Sequence, residues 1–422
     1  MSIEVESVSA SVATSTEVPV AVRFRPARVS FRTSDLSIEG ETLQTLSATL
    51  AVALQVPALF ARILLSRNIS TADQAKAFLS PTLRDHLPDP CAILNMEAAA
   101  DLILETIEQR KPITIYCDFD VDGLSAGAQV VLFLAQLGAQ ATVYTPNRFT
   151  EGYGLVESAI EKIAQSGTAL LVTLDCGITS HRELALARRR GMKTIVVDHH
   201  QPQELPEADV VVDPAQPGCP FQHHSLAAAG LALMLLIVLR QKARERFAEQ
   251  ISKGIIALPD PKDFLDLACL GTICDMVPLV GLNRVIAHRG VEALKQTARP
   301  GLIALKRAAG ISDHRLSAGH VSFGIGPRIN AAGRLSDASE IIELLTTTSE
   351  ARAAAIASSI DKLNTKRRGI EKDVLSSCLR MIKRDPILSA SPALTIFDER
   401  FHLGVIGIVA QRLVEQFHRP AA

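Results

Sequence analysis

Three aspartates, Asp118, Asp120 and Asp122, alternate in the stretch I-T-I-Y-C-D-F-D-V-D-G from Ile113 to Gly123. Carboxylates this close repel one another. In a cleft or an interior they are tolerable mainly when a cation neutralises them, so the chemistry indicated is the binding of a hard divalent metal ion. A calcium-binding EF-hand loop also opens D-x-D-x-D-G, but it needs a bidentate Glu at its twelfth position, and counted from Asp118 that position is Gln129. The bland alternative is a solvated acidic turn after a strand.

The elements around the motif decide between these readings. Ile113 to Cys117 reads as a short apolar strand, with a turn at Gly123. Leu124 to Leu137 follows as an apolar helix ended by Gly138, Ala141 to Thr145 as a strand, and Val156 to Gln165 as a helix ended by Gly167. Ala169 to Leu174 is a strand, and Ser180 to Arg190 a helix with a capping box from Ser180 to Glu183. Thr194 to Val197 and Asp209 to Val212 are further strands. Strict alternation implies βαβ crossovers and an α/β fold with a doubly wound parallel sheet. Ligands of such sheets bind beyond the carboxyl ends of the strands. Ionisable residues follow three of these strands: the three aspartates, then Asp175, then Asp198, His199 and His200. That coincidence favours a metal site over a surface turn. His223 and His224 lack a strand to place them and read as surface residues, and Cys117 and Cys176 read as small buried apolar residues beside the acids.

Outside this core, Thr42 to Gln109 is helical in pattern: Pro57 to Leu65, Ala72 to Leu79 capped by Ser70 or Thr71, and Met96 to Glu108. The apolar run Leu226 to Leu239 is 14 residues long, too short to span a bilayer, and reads as a buried helix. Phe264 to Ile273 reads as a helix followed by Asp275, and Glu350 to Arg384 as one long helix carrying Lys366, Arg367 and Arg368. Met1 to about Ile38 reads as a poorly ordered tail with a solvated basic group at Arg23, Arg25, Arg28 and Arg32.

Composition bounds the class. Of 422 residues 47% are hydrophobic, enough for a large core, and only 4% are aromatic. A formal net charge of -1 excludes a globally basic nucleic-acid binder, so contact with phosphate must come from a local patch. Seven cysteines, odd in number and without a C-x-x-C pair, indicate reduced thiols in a cytoplasmic protein.

The segments C-D-F-D-V-D-G, L-D-C-G-I, V-D-H-H and L-G-T-I-C-D-M-V-P-L, in this order, resemble the four motifs of the DHH phosphoesterase superfamily, and within it the bacterial single-strand-specific DNA exonucleases. L-L-S-R-N-I-S, E-G-Y-G-L from Glu151, G-P-R-I-N-A-A-G-R-L from Gly326 and H-L-G-V-I-G-I-V-A-Q-R-L from His402 extend the likeness from about Leu54 to the end of the chain.

The resemblance implies a two-metal phosphodiesterase that removes mononucleotides from the 5′ end of single-stranded DNA in repair and recombination. It implies two Mn2+ or Mg2+ ions held by Asp120, Asp122, Asp175, His199 and Asp275, with Asp175 bridging. Asp118 and Asp198 would be close supporters, and His200 would face the scissile phosphate. Arg328, Asn330 and Arg334 are candidates for holding DNA phosphates, by a bidentate fork and close backbone approach, with a helix cap carrying surface arginines as the bland alternative. Single-stranded DNA is the implied partner, with a helicase or a single-strand-binding protein as further candidates, and the implied state is a monomer. The rival activities are those of superfamily members acting on short oligoribonucleotides or cyclic dinucleotides, and of a catalytically weak DNA-binding scaffold.

By resemblance the domains are a tail over 1–40, a catalytic domain with leading helices over 41–345, a connecting helix over 346–386, and over 387–422 the beginning of a second, DHH-associated α/β domain. The glycine-rich G-G-H motif of that second domain does not occur. The expectation is therefore a chain that stops short, with a whole metal centre, an incomplete substrate clamp and apolar surface exposed from Leu394 onward. Cys117 and Cys274 stand where relatives often have Gly and Ala, and Asp213 where many have Asn.

Overall fold

The computed structural model describes residues 40–221 and 225–422. The tail with its four arginines, and His223 and His224, lie outside the described residues. The chain divides into two compact units, the boundary falling after Ser80.

In the first unit, helices Gly40–Leu54, Ala58–Leu65 and Ala72–Leu79 close around Leu43, Leu50, Ala61, Leu64 and Ala75. Thr71, not Ser70, caps the third: its Oγ1 accepts from Gln74 N–H and Gln74 Oε1 accepts from Thr71 N–H, both at 3.2 Å.

In the second unit, after the short helical turns Leu83–His86 and Pro90–Ala92, come helix α1 (Met96–Glu108) and strand β1 (Ile113–Cys117). Helix α2 (Val121–Gln136), β2 (Ala141–Tyr144), α3 (Glu157–Gln165), β3 (Leu170–Leu174), α4 (His181–Arg189), β4 (Lys193–Val197) and β5 (Val210–Val212) follow. All strand pairs are parallel, in the order β2-β1-β3-β4-β5. The sheet is doubly wound, as its apolar alternation required. Ile113, Ile115, Leu170, Val172 and Ile195 face a layer containing α1, α2 and α5 (Ala228–Arg246), while Tyr116, Leu171 and Val196 face α3 and α4. Burial on both faces explains why these strands are apolar along most of their length, with Thr114, Thr173 and Thr194 as buried exceptions.

Helix α6 (Leu265–Cys274) delivers Asp275, α7 (Gly326–Leu335) follows a π-helical turn, and α8 (Glu350–Arg384) runs 35 residues to meet α9 (Leu403–Phe417). On α8 Arg367 turns inward, pairing with Glu371 at 2.9 Å and Asn364, while Lys366 and Arg368 face out. Leu394 is buried against α8 and α9, whereas Ile387, Phe397 and Leu403 are exposed. The capping box at Ser180 does not form. Ser180 precedes α4 without a side-chain cap bond, and its backbone N–H goes to Gly177 O. No single helix among the described residues is long and apolar enough to cross a membrane, and all seven cysteines are free.

Candidate metal centre

In a sheet of order 2-1-3-4-5 the connections leave in opposite directions from β1 and β3, and a crevice opens at their carboxyl ends. Asp118 follows β1 and Asp175 follows β3. The register pairs Cys117 with Leu174, Leu174 with Val197, and Val197 with Val212, so Asp118, Asp175, Asp198 and Asp213 form one in-register row just past four adjacent strands. The ladder continues into the row. Asp118 N–H donates to Leu174 O at 3.3 Å, Asp175 N–H to Val197 O at 3.1 Å and Asp198 N–H to Val212 O at 3.1 Å. All four carboxylates are buried.

Beyond β1 the chain turns straight into α2. Asp120 Oδ1 accepts from Asp122 N–H at 2.8 Å and Gly123 N–H at 3.2 Å, capping the helix. Asp122, in the first turn, has both oxygens on the N-terminus of α5, accepting from Ala228 N–H at 2.6 Å and Ala229 N–H at 2.9 Å. Asp175 sits at φ +65°, a left-handed conformation that costs a side-chain-bearing residue energy and is held only where the surroundings impose it.

These elements converge on His199. Its Nε2 lies 3.0 Å from Asp175 Oδ1, 3.8 Å from Asp122 Oδ2 and 3.9 Å from Asp275 Oδ2. Three overlapping groups each bring their ligand atoms within 4.8 Å of one another: Asp118, Asp120 and Asp175; Asp122, His199 and Asp275; and Asp175, His199 and His200. The five residues expected as ligands are thus together. Asp118, expected as a supporter, offers an oxygen alongside Asp120. Asp198 is spent on its neighbours: Oδ1 accepts from His200 Nδ1 at 2.7 Å and His199 N–H at 2.8 Å, and Oδ2 from Ile178 N–H at 3.0 Å.

The electrostatics fit a cation. Burial, then the Asp120 charge, pushes Asp118 up to about 7, and burial, with the Asp120 charge behind it, brings Asp275 to about 6. Asp122 and Asp175 are driven well above the carboxylate range, by burial first and then by neighbouring aspartates. Asp118 Oδ1 is buried with no hydrogen-bond partner. Without positive charge between them these acids resist ionising together; a divalent ion resolves that, and oxygen donors with one imidazole suit manganese or magnesium. Burial and the His200 charge lower His199 to about 4, leaving the neutral imidazole that ligates metals. His200 moves the other way, to about 9, mainly through its hydrogen bond to Asp198.

A cavity of about 520 Å3 adjoins the acids, lined among others by Asp118, Asp120, Arg148, Tyr153, Asn330 and Arg334. Asn330 and Arg334, two of the three residues expected to hold phosphate, line this cavity; Asn330 Oδ1 accepts from Val121 N–H at 3.2 Å, and Arg334 donates to Gly404 O at 3.2 Å. Arg328 does not line it. Its guanidinium is consumed by Asp361 at 2.9 Å, Gly324 O at 2.7 Å and Ala308 O at 3.2 Å, and it braces α7 from behind.

Arg148 and Tyr153 were not legible as site residues. The Arg148 guanidinium lies 5.2 Å over the Phe119 ring, and Tyr153 Oη lies 3.5 Å from His200 Nε2. Glu151 fixes their loop by accepting from Tyr144 Oη at 2.6 Å and Asn147 N–H at 2.9 Å; the E-G-Y-G-L stretch was the available signal. Asp213 was also missed, although it follows its strand just as the others do.

The parallel sheet, its switch point and the acid–imidazole cluster define a domain of the DHH type, and residues 112–272 match the DHH family, N-terminal domain. The single-stranded-DNA-specific exonuclease RecJ of Bacillus subtilis (strain 168) is 35% identical over 374 residues, covering 88% of this chain and 45% of that protein. The crystal structure of RecJ in complex with Mn2+ from Thermus thermophilus superposes with a TM-score of 0.74 at 32% identity, over 89% of this chain and 52% of that one. A crystal structure of exonuclease RecJ bound to manganese gives 0.68 at 35% identity, over 78% and 79%. The chain belongs to the RecJ branch of the DHH family. It spans about half the length of the Bacillus relative.

Proposed function

We propose that this chain carries the catalytic centre of a 5′ to 3′ exonuclease that holds two Mn2+ or Mg2+ ions and releases mononucleotides from single-stranded DNA. The observation that carries the reading is the pair of ligand groups joined through the 3.0 Å contact between Asp175 and His199, opening onto a cavity that bears Arg148 and Arg334. The relatives' names, exonucleases specific for single-stranded DNA, and their manganese and magnesium complexes support substrate and ions.

Asp120, Asp122, Asp175, His199 and Asp275 hold the ions in this reading, with Asp118 able to join them. When bound, the ions supply a water acidic enough to deprotonate near neutral pH and positive charge for the phosphoryl oxygens. The protein's own groups do the rest. Arg148, Arg334 and Asn330 hold the terminal phosphates and aim the scissile bond. His200, kept protonated by Asp198, presents Nε2 toward the mouth, where it donates a hydrogen bond to the phosphoryl oxygen as charge builds. Phe119 and Tyr153, edge to face at 6.4 Å, offer rings to a terminal base without reading its identity.

The test is manganese-dependent release of mononucleotides from 5′-labelled single-stranded DNA, with Asp175→Ala as control, across substrates from two to thirty nucleotides. Release from long strands by wild type alone supports the reading. Turnover of the shortest substrates only would identify a small-substrate phosphodiesterase, and manganese binding without turnover a scaffold.

A further inference from the structure

Two large apolar side chains stand in the open on segments that meet the metal centre: Met276 is 90% exposed and Phe323 85%. Water is a poor environment for both. Their backbones are as unusual as their exposure. Met276, directly after Asp275, has φ +63°, a left-handed conformation that an L side chain enters at a cost. Phe323 lies in Val321–Ile325, the one π-helical turn among the described residues, a distortion that concentrates at functional sites.

The two segments are packed on each other. Cys274 Sγ donates to Val321 O at 3.9 Å, and Gly326 approaches Cys274 so closely that a Cβ there would stand 2.6 Å from the sulfur. The π-helical turn then runs straight into α7, whose Asn330 and Arg334 line the cavity beside the acids. Seven residues separate Phe323 from Asn330, about 10 Å along a helix axis. That is about three nucleotides at the 3.4 Å stacked spacing of one strand.

We propose that Phe323, with Met276 on the adjoining segment, is a ledge on which an unpaired nucleobase of the bound strand stacks, about three nucleotides from the phosphate at the cavity. The inference rests on the nuclease reading above and adds a source of strand preference. A base in a duplex has both faces covered and its edge paired, so it cannot lie on a protein ring without being pulled out of the stack. An unpaired base can, whatever its identity, because every base has a flat π face. The strand's backbone, drawn to Arg148 and Arg334, brings its bases past this position.

The test is binding of the full chain to fluorescent 5′-phosphorylated oligothymidylates, each carrying one abasic site at positions one to six, with calcium present to neutralise the acids. Wild type is expected to lose about tenfold in affinity for an abasic site near position three. Phe323→Ala is expected to lose about tenfold for the intact strand and to be indifferent to that abasic site, and Phe323→Trp to restore both. Because Phe323 is exposed, its removal leaves the fold intact. An equal loss of intact and abasic strands in Phe323→Ala, or no loss, overturns the ledge while leaving the nuclease reading standing. A wild type that binds no single strand overturns both.

Discussion

His200 Nδ1 lies 2.7 Å from Asp198 Oδ1, and that hydrogen bond raises His200 while burial lowers its neighbour His199, so two adjacent histidines take different protonation states. His199 falls to about 4 and His200 rises to about 9, so at neutral pH one is a ligand and the other a charged donor. A group raised in this way keeps its proton until the pH climbs through its native value. Activity that depends on the His200 proton is therefore expected to fall as pH rises through about 9. Asp198→Asn removes the cause, so the falling limb of the pH–rate profile should move down toward the ordinary histidine value and kcat should drop roughly a hundredfold. Unchanged limbs in Asp198→Asn would remove His200 from the chemistry.

Asp175 is held well above the carboxylate range, by burial and then by Asp122 and Asp120. For an acid whose native pKa exceeds its unfolded one, the cost of ionising in the fold is absent at low pH and grows as pH rises toward the native value. Without metal, Asp175→Asn should therefore melt above wild type at pH 8. Manganese should reverse the order: at a hundred times Kd it stabilises wild type by about 2.7 kcal/mol and the variant far less. Melting curves with and without manganese check both signs, and equal manganese shifts in the two proteins would remove Asp175 from the ligand set.

The alternation of apolar strands and helices was enough to put acids from β1, β3 and β4 on one sheet edge, because a parallel sheet has a single carboxyl edge. What escaped the sequence depends on partners far along the chain. Arg328 and Arg334 are chemically alike and six residues apart, but only the fold reveals that Asp361 and two carbonyls consume the first. The S-x-x-E pattern at Ser180 is a sound local rule, overridden where Ser180 N–H turns back to Gly177. Gly123 looked like the turn that ends the acidic motif. It is helical instead, packed so tightly that a Cβ would stand 2.7 Å from the Asp118 backbone.

Asp213 completes the acidic row without serving any ligand group. Burial pushes it up to about 7, and its Oδ2 is buried without a hydrogen-bond partner. By the same sign rule its cost appears as pH rises from about 4 toward 7 and is full above that. Asp213→Asn removes the charge while keeping the acceptor for Ala215 N–H. The variant should be more stable than wild type by about 2 kcal/mol at pH 8 and indistinguishable from it at pH 4. Denaturant melts at the two pH values check this, and an equal difference at both would show that Asp213 is not the titrating group.

Arg148 and Arg334, which line the cavity, should part company with Arg328, which does not. Arg148→Ala and Arg334→Ala each remove a cavity cation, and KM for single-stranded DNA should rise about tenfold while the melting temperature barely moves. Arg328→Ala leaves Asp361 and the carbonyls of Gly324 and Ala308 without their donor. It should cost about 2 kcal/mol of stability and change KM little at temperatures where the protein stays folded. A KM effect confined to Arg328→Ala would invert the assignment.

Glycines in two helices offer the most direct test of how tightly the centre is built. Gly271, in α6, lies where an added Cβ would stand 2.2 Å from Asp122 Oδ1 and 2.5 Å from Ala229 Cβ. Gly369, in the exposed middle of α8, has nothing within 4 Å of that position. Both substitutions to Ala gain about 1 kcal/mol of helix propensity. At Gly369 nothing opposes the gain, so Gly369→Ala should stabilise by about that amount. At Gly271 the methyl meets a carboxylate clamped on two backbone N–H groups of α5, which can retreat only by breaking those bonds. The overlap should cost about 1–3 kcal/mol, exceeding the propensity gain, and should displace Asp122 from His199. Gly271→Ala is therefore expected to lower stability and to weaken manganese binding in calorimetry at least tenfold, whereas Gly369→Ala leaves binding unchanged. Full manganese affinity in Gly271→Ala would mean that Asp122 is not a ligand.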